Sequence, residues 1–205
     1  MRRPIIAAAM LAALSAAPAH AVGFTLDFTG SGIIPNNFGD NGWADLSYRA
    51  ITQAGYGDVG SNGTLQFWTT GYADLDGAAW STIDGSHGEI RIEARNPGET
   101  VTIDSFDMGG WSADEAAEWF IFDLAWNQIG SGTGIALNTG PALNVAPGIS
   151  AVGGLIFQWG ADSWDVGVEN FAYSVTGDAV SDVPVPAAAP LLLGALGLLA
   201  LRRRA

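Results

Sequence analysis

The chain has 205 residues, 21 acidic and eight basic side chains, no cysteine, no lysine and a formal charge of −13. That balance argues against nucleic acid and anionic lipid headgroups as partners of the folded part, because like charges repel. The missing cysteines exclude disulfides, thiolate metal sites and thiol nucleophiles, and of the two histidines only His87 lies beyond the expected leader, too few for a multi-histidine zinc site.

In chain order, Arg2 and Arg3 precede an apolar run from Ile5 to Ala17, and Ala19-His20-Ala21 supplies the small residues of a leader cleavage site. Residues 1–21 therefore read as a helical signal peptide cut after Ala21, which assigns the chain to export. Residues 22–178 suffice for one domain with a sizeable core. Between residues 22 and 182 lie all 21 acidic residues against Arg49, Arg91 and Arg95, a net of −18 that would welcome divalent cations.

Short alternating segments divided by glycine-rich turns fill this body. Strands are expected at Val22–Phe28, Ala44–Thr52, Thr64–Thr70, Ala78–Ile83 and Gly88–Arg95, the last with Ile90, Ile92 and Ala94 on one face and charges on the other. Val101–Phe106 is a further strand whose apolar parity shifts across Asp104 and Ser105, which predicts a bulge or strand end. Ser112-Ala113-Asp114-Glu115 matches a capping box and allows one helical turn. Trp119–Trp126 reads as a central strand, Ile135–Leu137 as a short one, Pro141–Pro147 as a loop and Ala151–Trp159 as one strand. In Val166–Val175 the two apolar phases are reconciled by one extra residue near Glu169 and Asn170. The pattern predicts a mainly β protein, a single antiparallel β-sandwich. The block Thr102–Met108, the Trp119–Trp126 segment and Asp165–Tyr173 resemble secreted bacterial sandwich domains of the galactose-binding, jelly-roll type, which implies a jelly-roll-like topology.

Residues 179–187 form a linker ending in Val183, Pro184, Val185, Pro186 and Ala187. Residues 188–201 are a short hydrophobic helix, and residues 202–205 carry Arg202, Arg203 and Arg204. As a helix, residues 187–201 span about 22 Å, short of the roughly 30 Å of a bilayer core. The arginines act as a membrane stop on the cytoplasmic side, so the body lies outside, and the prolines hold the motif extended. Motif, short helix and arginine cluster, in that order, resemble the VPLPA or VPxPA variant of the PEP-CTERM sorting signals. The resemblance implies an exosortase, a membrane-embedded transpeptidase-like enzyme, that recognises Val183–Ala187 and removes the helix. It further implies transient anchoring in the inner membrane, a destination in the cell envelope or outside it, and a role with exopolysaccharide. A plain C-terminal anchor is the alternative.

Eight tryptophans are the chief candidates for binding chemistry, since an exposed ring stacks on a sugar face. Trp126 and Trp159 fall in phase with core positions. Trp43, Trp80, Trp111 and Trp164 lie in or beside turns and are the candidate glycan contacts. Asp74 and Asp76 with Gly77 are the candidate ligands of a structural Ca²⁺, although the spacing stops short of an EF-hand loop. The pairs Asp104 with Asp107 and Asp162 with Asp165 could serve a secreted carbohydrate-active hydrolase only at a spatial separation that sequence does not state. No catalytic residue is assigned, and His87, in Asp84-Gly85-Ser86-His87-Gly88, reads as an exposed loop histidine. The expectation is an exported, non-catalytic sandwich.

Overall fold

Alternating apolar and polar residues build fourteen strands and no helix among the described residues, which are 20–160 and 162–177 of the computed structural model. In chain order they are β1 (His20–Leu26), β2 (Gly32–Ile33), β3 (Ala44–Ile51), β4 (Ser61–Gly63), β5 (Leu65–Trp68), β6 (Ala78–Ser81) and β7 (His87–Ala94). There follow β8 (Thr100–Gly110), β9 (Glu115–Asp123), β10 (Gln128–Ala136), β11 (Leu143–Val145), β12 (Ile149–Val152), β13 (Gly154–Gly160) and β14 (Val166–Gly177). The expected signal peptide, sorting motif, hydrophobic helix and terminal arginines lie outside the described residues, except His20 and Ala21, which pair with Gly177 and Thr176 in β1.

Every ladder is antiparallel. One sheet has the order β11, β8, β14, β6, β5, β2, with β1 also on β14 and β12 also on β8; the other has the order β10, β9, β13, β7, β3, β4. Their facing sides share one core. Leu46, Tyr48, Ile90, Ile92, Ile121, Phe157 and Trp159 of the second sheet join Leu65, Val101, Ile103, Phe106, Met108, Val168, Phe171 and Tyr173 of the first. At the centre the ring of Phe157 lies 4.6 Å from that of Phe106 and 5.1 Å from that of Phe171. Trp159 stacks on Phe157 and donates its indole N–H to the Val166 carbonyl at 3.0 Å, so its one polar atom is satisfied inside the core. Each such large apolar side chain contributes about 1.5–3 kcal/mol by leaving water.

Both irregularities read from the sequence are present in the pairing of β14 with β8. Glu169 faces Asp107 and Ala172 faces Ser105, so β14 carries an extra residue there; Tyr173 then faces Ile103, which leaves Asp104 as the extra residue of β8. Asn170 takes a φ of 49° at the first bulge. The two insertions compensate, so Val168 and Tyr173 both reach the core.

Several expected elements differ. Ser112–Glu115 starts no helix, because Glu115 already opens β9 and pairs with Ala136. The expected strand to Trp126 ends at Asp123, whose carboxylate accepts the backbone N–H groups of Ala125 and Asn127, each at 2.9 Å, and turns the chain. The expected short strand at Ile135 runs the length of β10, and the Pro141–Pro147 loop contains β11. Ala151–Trp159 is two strands in different sheets. At Gly153, with φ of 83°, the chain leaves β12 on β8 and enters β13 between β7 and β9.

Candidate functional site

The strand register of the second sheet sets polar side chains in a row on its outer face. Arg49 of β3 lies opposite Glu89 of β7, and Glu89 lies opposite Gln158 of β13. Arg49 grips Glu89 with two bonds, Nε to Oε1 at 2.6 Å and Nη2 to Oε2 at 3.1 Å, and reaches Asp58 with Nη2 at 3.1 Å. Gln158 donates to Glu89 Oε2 at 2.8 Å and to the Gly57 carbonyl at 2.9 Å, while its Oε1 accepts the Gly55 N–H at 3.0 Å. Glu89 is 3% exposed and Gln158 fully buried, so burial of these groups is compensated by complete pairing, which also locks their orientation. Trp126, in the turn after β9 with a positive φ of 65°, sets its ring 6.0 Å from the Arg49 guanidinium. Arg49, Asp58, Arg91, Asn36, Ser47 and Trp126 line an open groove of about 340 Å³. The sequence reading had placed Trp126 in the core; the turn after Asp123 moves it to the surface.

A second constellation forms on the outer face of the first sheet. Trp68 closes β5, Trp80 lies in β6, Trp111 follows β8, Trp164 precedes β14 and Tyr72 comes from the loop between β5 and β6. These five rings enclose a box of about 120 Å³. Centroids of Trp68–Trp80, Trp68–Trp111 and Trp80–Trp164 are each 5.1 Å apart with edge-to-face planes, and Tyr72 lies 5.3 Å from Trp111. The loop bearing Tyr72 reaches the sheet because Gly167 has no side chain: a Cβ there would come within 2.9 Å of the Tyr72 ring. Tyr72 donates its hydroxyl to the Trp164 carbonyl, and Trp111 donates its backbone N–H to the Asp165 carbonyl at 2.9 Å. Burial, then the charges of Asp165 and Asp162, push the Tyr72 phenol far above its ordinary value. The indole N–H groups of Trp68 and Trp80 are buried without a protein acceptor.

Of the four expected glycan contacts, the structure brings Trp80, Trp111 and Trp164 together and leaves Trp43 apart, packed against the main core. Sequence reading missed Trp68 and Tyr72. Trp68 was detectable as the strand residue out of phase with Leu65 and Phe67.

The carboxylates mostly serve the fold. Asp104 accepts the Ser174 hydroxyl at 3.2 Å, and Asp107 accepts the side-chain amides of Asn144 at 2.7 Å and Asn170 at 2.9 Å. Asp162 accepts the backbone N–H groups of Trp164 at 2.8 Å and Gly85 at 2.6 Å. Asp74 accepts the Ala142 N–H at 2.8 Å, and Asp76 lies close enough to Glu169 to act on its carboxyl. Among the described residues no group of three or more His, Cys, Asp or Glu side chains is arranged to hold a metal ion. Glu169 is 3% exposed; burial first, then Asp27 and Asp76, push its pKa up to about 7, against the backbone N–H groups of Asp76 and Gly77. His87 is not an exposed loop residue. It opens β7 half-buried, with Nδ1 lacking a partner, and burial lowers its pKa while Glu118 and Asp162 oppose the shift.

No family model and no curated protein matches the chain. Among solved structures, an arabinose-bound α-L-arabinofuranosidase matches at 14% identity and a TM-score of 0.37, over 68% of this chain and 28% of that one. A CBM4 chain matches at 13% and 0.33, over 72% and 91%, and a CBM61 chain in complex with β-1,4-galactotriose at 9% and 0.22, over 74% and 87%. At these TM-scores the likeness carries no weight for fold or ligand.

Proposed function

We propose that the folded part is a non-catalytic, jelly-roll-like module that binds polysaccharide of the cell envelope, delivered there by an exosortase-type enzyme acting at Val183–Ala187. The observation that carries the binding reading is the locked row Arg49, Glu89 and Gln158 beside the ring of Trp126. A sugar presents hydroxyls around its rim and C–H groups on its faces. The partly exposed Arg49 and the exposed Asp58 exchange hydrogen bonds with the former, an indole takes the latter, and the buried Glu89 and Gln158 hold Arg49 in place, so it loses little entropy on binding. A groove of about 340 Å³ accommodates a saccharide unit. The delivery reading rests on the tail alone, whose proline-containing motif, short apolar run and arginines occur in sorting order.

The test is a glycan array and a polysaccharide pull-down with the purified full chain, with reducing ends assayed in parallel. Binding without release of reducing ends is expected, and Trp126→Ala should weaken it about tenfold by removing the stacking face. Unchanged binding in Trp126→Ala would remove the groove from the reading. Release of reducing ends, lost on replacing one acid pair, would make the chain a hydrolase.

A further inference from the structure

The five rings around Trp80 define a site whose chemistry differs from that of the groove. Its volume of about 120 Å³ lies well below the roughly 300–1,000 Å³ of ordinary small-molecule pockets, and below the cavity of about 150 Å³ that holds benzene. A pyranose with its hydroxyls does not fit inside, whereas a compact head group does. Nor do the rings form a platform. Trp68, Trp80, Trp111 and Trp164 meet at 67° to 85°, so they stand as walls, with Tyr72 completing the enclosure and Trp164, 36% exposed, at the mouth.

Charge decides what kind of group such walls accept. Aromatic faces are the negative side of the ring quadrupole. Asp162 and Asp165 flank Trp164 in the chain, Trp111 is bonded to the Asp165 backbone, and both carboxylates add, after burial, to the upward shift of the Tyr72 phenol. Asp165 is itself raised, first by burial and then by Asp162 and Asp84, so negative charge is crowded at this edge. Among the described residues no lysine or arginine relieves it. There is no lysine, and Arg49, Arg91 and Arg95 of the second sheet are paired with Glu89 and Asp58, with Glu93 and with Asp45.

We propose that this box binds a small quaternary ammonium group of the kind carried by choline, with its methyl groups against the rings and Asp162 and Asp165 supplying the counter-charge. Methyl groups give such a cation an apolar surface that sheds water cheaply and fills the box. A bare metal ion would lose its hydration shell and find no set of oxygen ligands there.

Titration of the purified full chain with choline in choline-free buffer, followed by tryptophan fluorescence and calorimetry, tests the site. The control ligand is the uncharged analogue in which carbon replaces the nitrogen. Saturable choline binding is expected, at least about tenfold tighter than that of the neutral analogue, because cation–π attraction in a desolvated cage is worth about that factor. Trp164→Ala, at the exposed mouth, should weaken choline about tenfold. Asp165→Asn should weaken choline and leave the neutral analogue unchanged, and Trp126→Ala in the distant groove should leave choline binding intact, which separates this site from the polysaccharide reading. No saturable binding, equal affinity for the neutral analogue, or indifference to both Trp164→Ala and Asp165→Asn would overturn the proposal.

Discussion

Glu169 couples the fold to pH. The pKa of about 7 in the folded chain stands above the ordinary 4.5, chiefly because burial opposes the charged form. A raised value means that the protonated carboxyl is the one the fold prefers, so its contribution is fully present below about pH 4.5 and is lost as pH rises through 7. On the order of 3 kcal/mol is at stake for a group 3% exposed. Glu169→Gln keeps an oxygen for the N–H groups of Asp76 and Gly77 and removes the titration. The stability difference between this variant and the native chain, from urea unfolding, should therefore grow in the variant's favour from pH 4.5 to 8; parallel curves would refute the assignment. Residue-level chemistry was unevenly legible in the sequence. That Glu89 and Arg91 share a polar strand face follows from alternation, but that Glu89 is buried and gripped by Arg49 depends on the partners that strand pairing brings beside it.

Gly153 shows how one residue redirects an element. The apolar phase of Leu155, Phe157 and Trp159 continues upstream into Ala151, so periodicity alone reads one strand. At Gly153 a φ of 83° turns the chain from one sheet to the other, while its N–H bonds to the Glu99 carbonyl at 2.8 Å and its carbonyl accepts the Ala94 N–H at 2.9 Å. An alanine there would find space, its nearest neighbour being Leu124 at 3.9 Å, so the cost is backbone strain alone. Gly153→Ala should lower stability by about 1 kcal/mol in denaturant titration. A stability equal to that of the native chain would mean the crossing tolerates another conformation. The bulges of β8 and β14 were legible because a parity shift exposes an extra residue wherever both flanks must stay buried. The helical turn at Ser112 was misread because a capping pattern is local, and β9 already claims Glu115 for its ladder.

At the scale of the molecule, the two sheets share one interior and expose two unlike outer faces, one carrying a polar groove and the other an aromatic box. The tail belongs to this scale as well, since it concerns where the whole chain goes. Intact-mass analysis of envelope protein, from cells with and without the sorting enzyme, should show loss of the residues beyond the motif only when the enzyme is present. Mature protein retaining Leu191–Ala205 in both strains would instead favour a plain anchor. By itself the sequence determined the mainly β class, both bulges, the acidic balance and the expectation of export, because strand alternation, charge count and terminal signals are local properties of the chain. Only the tertiary structure decided which tryptophans meet, that Trp126 leaves the core, that Glu89 and Glu169 are buried and that His87 is half-buried. Those outcomes depend on which strands become neighbours and which loops fold back over them, and the contacts join residues far apart in the chain, about a hundred positions for Gln158 and Gly57.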